Sequence, residues 1–259
     1  MALDTIQYLL GAGSGGLVGF TLGLVGGGGS ILAVPLMVYL VGVPQPHVAI
    51  GTSALAVAAN AAANLVPHAR AGTIKWRCAT MFAAAGVAGA YAGSTLGKAM
   101  DGQRLLFLFA LLMLVVGALM IRNRKDPGNP DVQCRRENAP KVMGYGLGTG
   151  LFSGFFGIGG GFLIVPALMA STAMPMRNAV GSSLVAVTAF GLTAAVNYAL
   201  SGLVDWALAG VFILSGVAGG IAGTLLSQRL SAMKGLLNTL FAGLIFVVAI
   251  YMLWQSAIR

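Results

Sequence analysis

The residues with chemistry to offer in this chain are neutral ones. Two glycine-rich stretches, Gly26-Gly27-Gly28-Gly29-Ser30 running on to Pro35 and Gly157-Ile158-Gly159-Gly160-Gly161 running on to Pro166, lie 131 positions apart. Glycine opens backbone torsions closed to other residues and lets amide groups come close to a ligand. Amides at such a break, with the positive end of a following short helix, would cradle an anion. The competing reading is a tight helix crossing, since glycine also lets helices approach closely. A phosphate-binding P-loop is excluded because no Gly-Lys-Ser/Thr follows, and a dinucleotide turn because no strand precedes. Gly27, Gly28, Gly29, Ser30, Gly159, Gly160 and Gly161 are therefore candidate substrate ligands.

A second set is hydroxyls and amides. Ser53, Asn60, Asn64 and His68 follow one another at spacings of seven, four and four, which makes one stripe on a helix. The matching region offers Ser182, Ser183, Thr193, Asn197 and Tyr198, a less regular set. Such groups replace water around an oxyanion, or they join helices at about 0.6 kcal/mol per bond. Thr52, Ser53, Ser182 and Ser183 recur in both halves and join the candidate list, as do Asn60, Asn64 and Asn197. His47 and Arg177 occupy equivalent places just before each Gly-Thr/Ser-Ser, where a cation would attract anions or simply anchor a helix end. No catalytic set is assembled: the six acids, Asp4, Asp101, Asp126, Asp131, Glu137 and Asp205, all sit at segment ends. No Ser-His-Asp arrangement and no metal-ligand cluster appears, so an enzyme, a metal and a cofactor are not expected.

The elements that must hold these residues are membrane helices. Of the 259 residues 58% are apolar and 8% charged, and the charges fall in short gaps between long apolar runs. Those runs do not alternate at period two, which excludes a transmembrane barrel. The net charge of +9 is spread over many loops instead of forming a stripe with aromatics, so no nucleic-acid partner is expected. Met1-Ala2-Leu3-Asp4 carries no cationic region, and no cleaved signal peptide is expected. Cys78 and Cys134 have no metal-ligand spacing and are expected to form neither a disulfide nor a zinc site.

Repetition covers nearly the whole chain. At an offset of 131, Gly19, Gly23, Gly26, Gly28, Gly29, Leu32, Val34 and Pro35 fall on identical residues, and at 130 so do Gly51, Ser53, Gly72, Trp76, Gly86, Gly89 and Gly93. The predicted domains are a first repeat 1–121, a charged connector 122–141 and a second repeat 142–259. Each half reads as four long apolar segments and one of a dozen residues after the glycine break. The fold class is an all-α polytopic membrane protein of about eight full spans plus two short half-helices. If each short segment makes its own crossing the repeats are inverted, and with the connector inside this places twelve cations in the cytoplasm against three outside. The parallel alternative gives ten against five, so the charge rule favours inversion. Gly89, Gly93 and Gly97, and Gly219 with Gly223, read as packing faces.

The paired glycine breaks followed by Val-Pro, the Gly51-Thr52-Ser53 and Gly181-Ser182-Ser183 about fifteen residues after each Pro, and the two Gly-Val-Ala-Gly helices resemble the TauE/SafE sulfite exporter family. The likeness runs from about residue 10 to 255. It implies a multipass transporter of the cell inner (plasma) membrane that moves sulfite, sulfonates or related sulfur-containing anions, usually outward. The expected partners are a small anionic substrate and the lipid bilayer, with the oligomeric state left open. The alternatives are a permease or channel for another small solute or ion, and a membrane scaffold.

Overall fold

The computed structural model describes residues 4–122, 134, 138–157, 161–229, 243 and 246–255. Among these residues there is helix and no strand. The first helix, α1, spans Thr5–Val25. Gly26 ends it with a positive φ of 75°, a torsion side chains resist. A 3-10 segment Gly26–Leu32, a single α turn α2 (Ala33–Pro35) and a wide π turn Leu36–Leu40 follow. The expected first half-helix is thus three kinds of winding in one short run. Pro35 has no N–H to donate, and the winding widens directly after it.

The long helices are α3 (Pro46–Arg70), α4 (Trp76–Ala99) and α5 (Gly102–Arg122). In the second half α6 (Ala139–Phe156) is stopped by left-handed Gly157 at φ 64°. The short α7 (Gly161–Thr172) keeps Pro166 in its second turn. Then come α8 (Met176–Ala199), α9 (Trp206–Arg229) and α10 (Phe246–Gln255). Three helices, Pro46–Arg70, Met176–Ala199 and Trp206–Leu226, are each long and apolar enough to cross a bilayer by themselves. Most of the connector, Lys234 and Arg259 lie outside the described residues.

Two helix pairs pack backbone on backbone. On α1, Gly15 lies on Phe212, Gly19 on Gly216 and Gly23 on Gly220 of α9, so the two helices run in the same direction. On α6, Gly146 lies on Phe82, Gly150 on Gly86 and Gly154 on Ala90 of α4, again in the same direction. By the offsets of 131 and 130 these are one interface made twice. The expected packing faces are borne out: Gly89, Gly93 and Gly97 press on Leu147, Leu151 and Phe155, and Gly219 and Gly223 on Gly16 and Phe20. A methyl at any of these glycines would overlap the opposing carbonyl, so the approach depends on the missing side chain. Between the two pairs, α3 and α8 lie antiparallel: Gly51 meets Tyr198 and Leu203, Gly191 meets Ala54 and Ala58, and Gly181 meets Thr73.

The cysteines correct the sequence reading. Cys78 and Cys134 are joined in a disulfide, with their Cα atoms 5.4 Å apart and both residues buried. Absent metal-ligand spacing says nothing about proximity across 56 positions. Helix α6 packs along α4, with Gly146 on Phe82, and Cys134 meets Cys78 near the start of α4.

Candidate functional site

Each glycine break is seated against the other half. Gly26, at positive φ, lies against Val180 of α8, and left-handed Gly157 against Ile50 of α3. Val180 and Ile50 are themselves equivalent residues. Their carbonyls accept the hydroxyls of Ser183 at 2.7 Å and Ser53 at 2.9 Å, so both candidate serines are fully buried and bonded back to their own helix. The 3-10 segment packs on α1 and on α7, so the first break lies beside the short helix that follows the second. A new helical segment begins with amides that have no partner within it, which is the raw material of an anion cradle.

Within that segment Gly28 and Ser30 are buried. Gly29 has a second duty: a methyl there would meet Leu22 and Thr21, so the segment folds back onto the last turns of α1. Thr21 Oγ1 reaches the Gly29 carbonyl at 3.4 Å. Gly27 belongs to the 3-10 run and Gly161 opens α7, buried. Gly159 and Gly160 lie outside the described residues.

Thr52 and Ser182 are fully buried, and each holds the start of another helix. The Asp205 amide donates to Thr52 Oγ1 at 2.9 Å, and the Lys75 amide donates to Ser182 Oγ at 2.9 Å. Asp205 and Lys75 are equivalent residues at the entries of α9 and α4. Both hydroxyls serve as caps reached across space, satisfying an amide that a helix end leaves open.

Asn60 and Asn64 face α9. The Asn60 side chain lies against Gly216 and is fully buried, with neither its oxygen nor its nitrogen hydrogen-bonded. Asn64 Nδ2 donates to the Asn60 carbonyl at 2.9 Å, and Thr224 Oγ1 donates to Asn64 Oδ1 at 3.1 Å. The position equivalent to Asn60 is Phe190, which rests on Gly86 and stacks on Phe82 at 6.2 Å. Of this equivalent pair, one residue therefore offers an amide and the other a phenyl ring.

Asn197 is set apart from these groups, at the far end of α8. Its Nδ2 donates to Ser94 Oγ at 2.6 Å and Thr95 Oγ1 at 2.9 Å, while Lys98 Nζ donates to Asn197 Oδ1 at 2.7 Å, the Asn197 carbonyl at 2.9 Å and Ser201 Oγ at 2.8 Å. Lys98 was not among the candidates read from the sequence. The only signal was a lysine one turn past Ser94. At the same end His47 Nε2 pairs with the Met100 carbonyl at 3.0 Å beside a cavity of about 300 Å³ lined also by Gln45, Asp101 and Gln103. At the opposite end His68 Nδ1 meets Thr73 Oγ1 at 3.1 Å, and Asn178 Nδ2 donates to the Thr73 carbonyl at 3.0 Å. Among the described residues no group of three metal-ligating side chains is assembled.

Comparison with known proteins groups the chain with membrane transporters. The family model described as Sulfite exporter TauE/SafE matches residues 11–252. A probable membrane transporter protein of Xylella fastidiosa (strain Temecula1 / ATCC 700964) is 56% identical over 254 residues, covering 97% of each chain. The probable membrane transporter protein YunE of Bacillus subtilis (strain 168) is 27% identical over 237 residues, covering 83% of this chain and 87% of its own. One from Haemophilus influenzae (strain ATCC 51907 / DSM 11121 / KW20 / Rd) is 30% identical over 197 residues, covering 73% and 72%. No solved structure matches.

Proposed function

Since the chain belongs to the Sulfite exporter TauE/SafE family of membrane transporters, we propose that it exports small sulfur-containing anions, sulfite or sulfonates, across the cell inner membrane by alternating access. The observation that carries this reading is the pair of glycine breaks, each pressed against the helix residue, Val180 or Ile50, that precedes the Gly-Thr/Ser-Ser of the other half. Irregular backbone at membrane depth survives only where protein or a watery cavity covers it. Two such breaks in corresponding places mark a transporter's binding site. The antiparallel course of α3 and α8, which are equivalent in sequence, supports inverted repeats: a two-fold axis along the membrane normal would make them parallel. The spare amide of Asn60 supplies a neutral donor and acceptor within the same core.

Export of an anion from a negative interior needs no coupled cation, because each charge leaving is favoured by about 2.3 kcal/mol per 100 mV. Purified protein in liposomes, with a potassium-valinomycin potential and a panel of sulfite, organosulfonates, sulfate and chloride, tests both substrate and driving force. Sulfite or sulfonate flux that grows with the imposed potential is expected. Flux confined to other solutes, or flux indifferent to potential and set by pH alone, would overturn the reading.

A further inference from the structure

Resting on the transport reading, we infer that the bodies that move against each other are not the two halves of the sequence but two bundles that exchange helices: α1, α3 and α9 in one, α4, α6 and α8 in the other.

Three sets of contacts converge on this division. The closest helix pairs, α1 with α9 and α4 with α6, each join one half to the other through backbone-on-backbone packing. Sliding the halves apart would have to break both at once. Most of the hydrogen bonds between helices respect the same division. Thr52 with the Asp205 amide and Thr224 with Asn64 tie α9 to α3 inside the first bundle. Ser182 with the Lys75 amide, and Asn197 with Ser94 and Lys98, tie α4 to α8 inside the second. The disulfide, from Cys78 on α4 to the lead into α6, also stays within the second bundle.

The seam between the bundles is built differently. Midway along the crossing of α3 and α8 lie Ala54, Ala58, Gly191, Ala194 and Ala195, small residues with little to interlock, while toward its ends Gly51 meets Tyr198 and Leu203 and Gly181 meets Thr73. Packed helices move by small sliding shifts along such a surface, while deeply interdigitated ones do not. At its two ends single hydrogen bonds cross it: His47 of α3 to the Met100 carbonyl after α4, and Asn178 of α8 to the Thr73 carbonyl after α3. The glycine breaks complete the arrangement. Gly26 ends α1 in the first bundle and touches Val180 in the second, while Gly157 ends α6 in the second and touches Ile50 in the first. A shift along the seam therefore moves each break relative to the residue it faces.

Spin labels distinguish the bundles from the halves. Leu9 on α1, Leu214 on α9, Leu96 on α4 and Phe152 on α6 are all exposed, so cysteines there carry labels without entering the core, with the Cys78–Cys134 pair left bonded. Pulsed electron resonance in liposomes, with and without sulfite, reads the distances. The expected result is a single unchanging distance for Leu9–Leu214 and for Leu96–Phe152, pairs that span the halves, with two populations or a shift for Leu9–Leu96, a pair within one half. The reverse pattern would overturn the inference in favour of moving halves. Distances fixed for all three pairs in every condition would also overturn it. Sulfite flux is recorded separately on the same liposomes. Its absence would count against the substrate while the distances still decide between bundles and halves.

Discussion

Thr52 and Ser182 each hold a helix entry rather than stand open to a ligand, and that duty sets what their loss would cost. Removing one cap leaves a buried amide unpaired, worth about 1–3 kcal/mol. Thr52→Val and Ser182→Ala are therefore each expected to lower thermal stability by that order, read as a fall in the unfolding temperature of detergent-solubilised protein. Asn60 is the opposite case. Its amide is fully buried with both atoms unpartnered, so Asn60→Leu, nearly the same shape, is expected to stabilise the fold by about 1–3 kcal/mol. If the amide serves the substrate, the same variant loses sulfite flux while its unfolding temperature rises. A variant that is more stable and fully active would remove Asn60 from the site. The sequence made these groups visible by recurrence and helical spacing. It did not separate caps from spare donors, because that distinction lies in which helix end arrives opposite each hydroxyl.

Among the helices, glycine content alone does not say which glycines matter, whereas contacts do. A methyl at Gly19 or Gly150 would overlap the Gly216 or Gly86 carbonyl, while one at Gly13, Gly144 or Gly148 would meet nothing. Overpacking of this kind costs about 1–3 kcal/mol, and Gly→Ala at an open helical site gains up to about 1 kcal/mol. Gly19→Ala and Gly150→Ala are thus expected to destabilise, and Gly13→Ala and Gly148→Ala to leave stability unchanged or raised, as measured by thermal unfolding in one detergent. The first break and the helices around it were legible because hydropathy and glycine placement record them directly. The winding after Gly26 was not, since a run of glycines permits 3-10, α and π turns alike. The disulfide was equally hidden, because the facing of Cys134 on Cys78 follows from α6 packing on α4. That bond closes a long loop and is worth about 2–4 kcal/mol where it persists. It lies on the face carrying Lys75 and Arg77, which the charge rule places in the cytoplasm, where thiols are kept reduced. Acid quenching of intact cells followed by thiol-specific mass tagging is accordingly expected to find free cysteines, with the bond forming after extraction. A pair already bonded in the cell would instead place this face, and the connector with it, outside.

At the level of the whole molecule the two-fold repeat was legible from the offsets of 131 and 130, but the choice of partners was not. Nothing in a sequence repeat says whether each unit packs on itself or on its twin. Here α1 finds its partner in α9, so Gly19 and Gly216 touch although 197 positions separate them. This has a consequence for biogenesis. A chain inserted from its N-terminus must hold α1, with its unpartnered buried Ser14, in the lipid until almost the last helix is made. Long-range pairing of this kind is slow and leaves the early segments exposed to misassembly. The first repeat alone should therefore be unable to complete itself and be cleared by membrane proteases. If the gene is cut within the connector, ahead of Cys134, the two fragments produced together are expected to assemble and recover flux, and either fragment produced alone to disappear within minutes of synthesis in a pulse-chase experiment. A first fragment that accumulates unaided would mean that α1 has a stable place without α9. The membrane-insertion machinery, on this account, has to deliver both repeats before either one is a folded object.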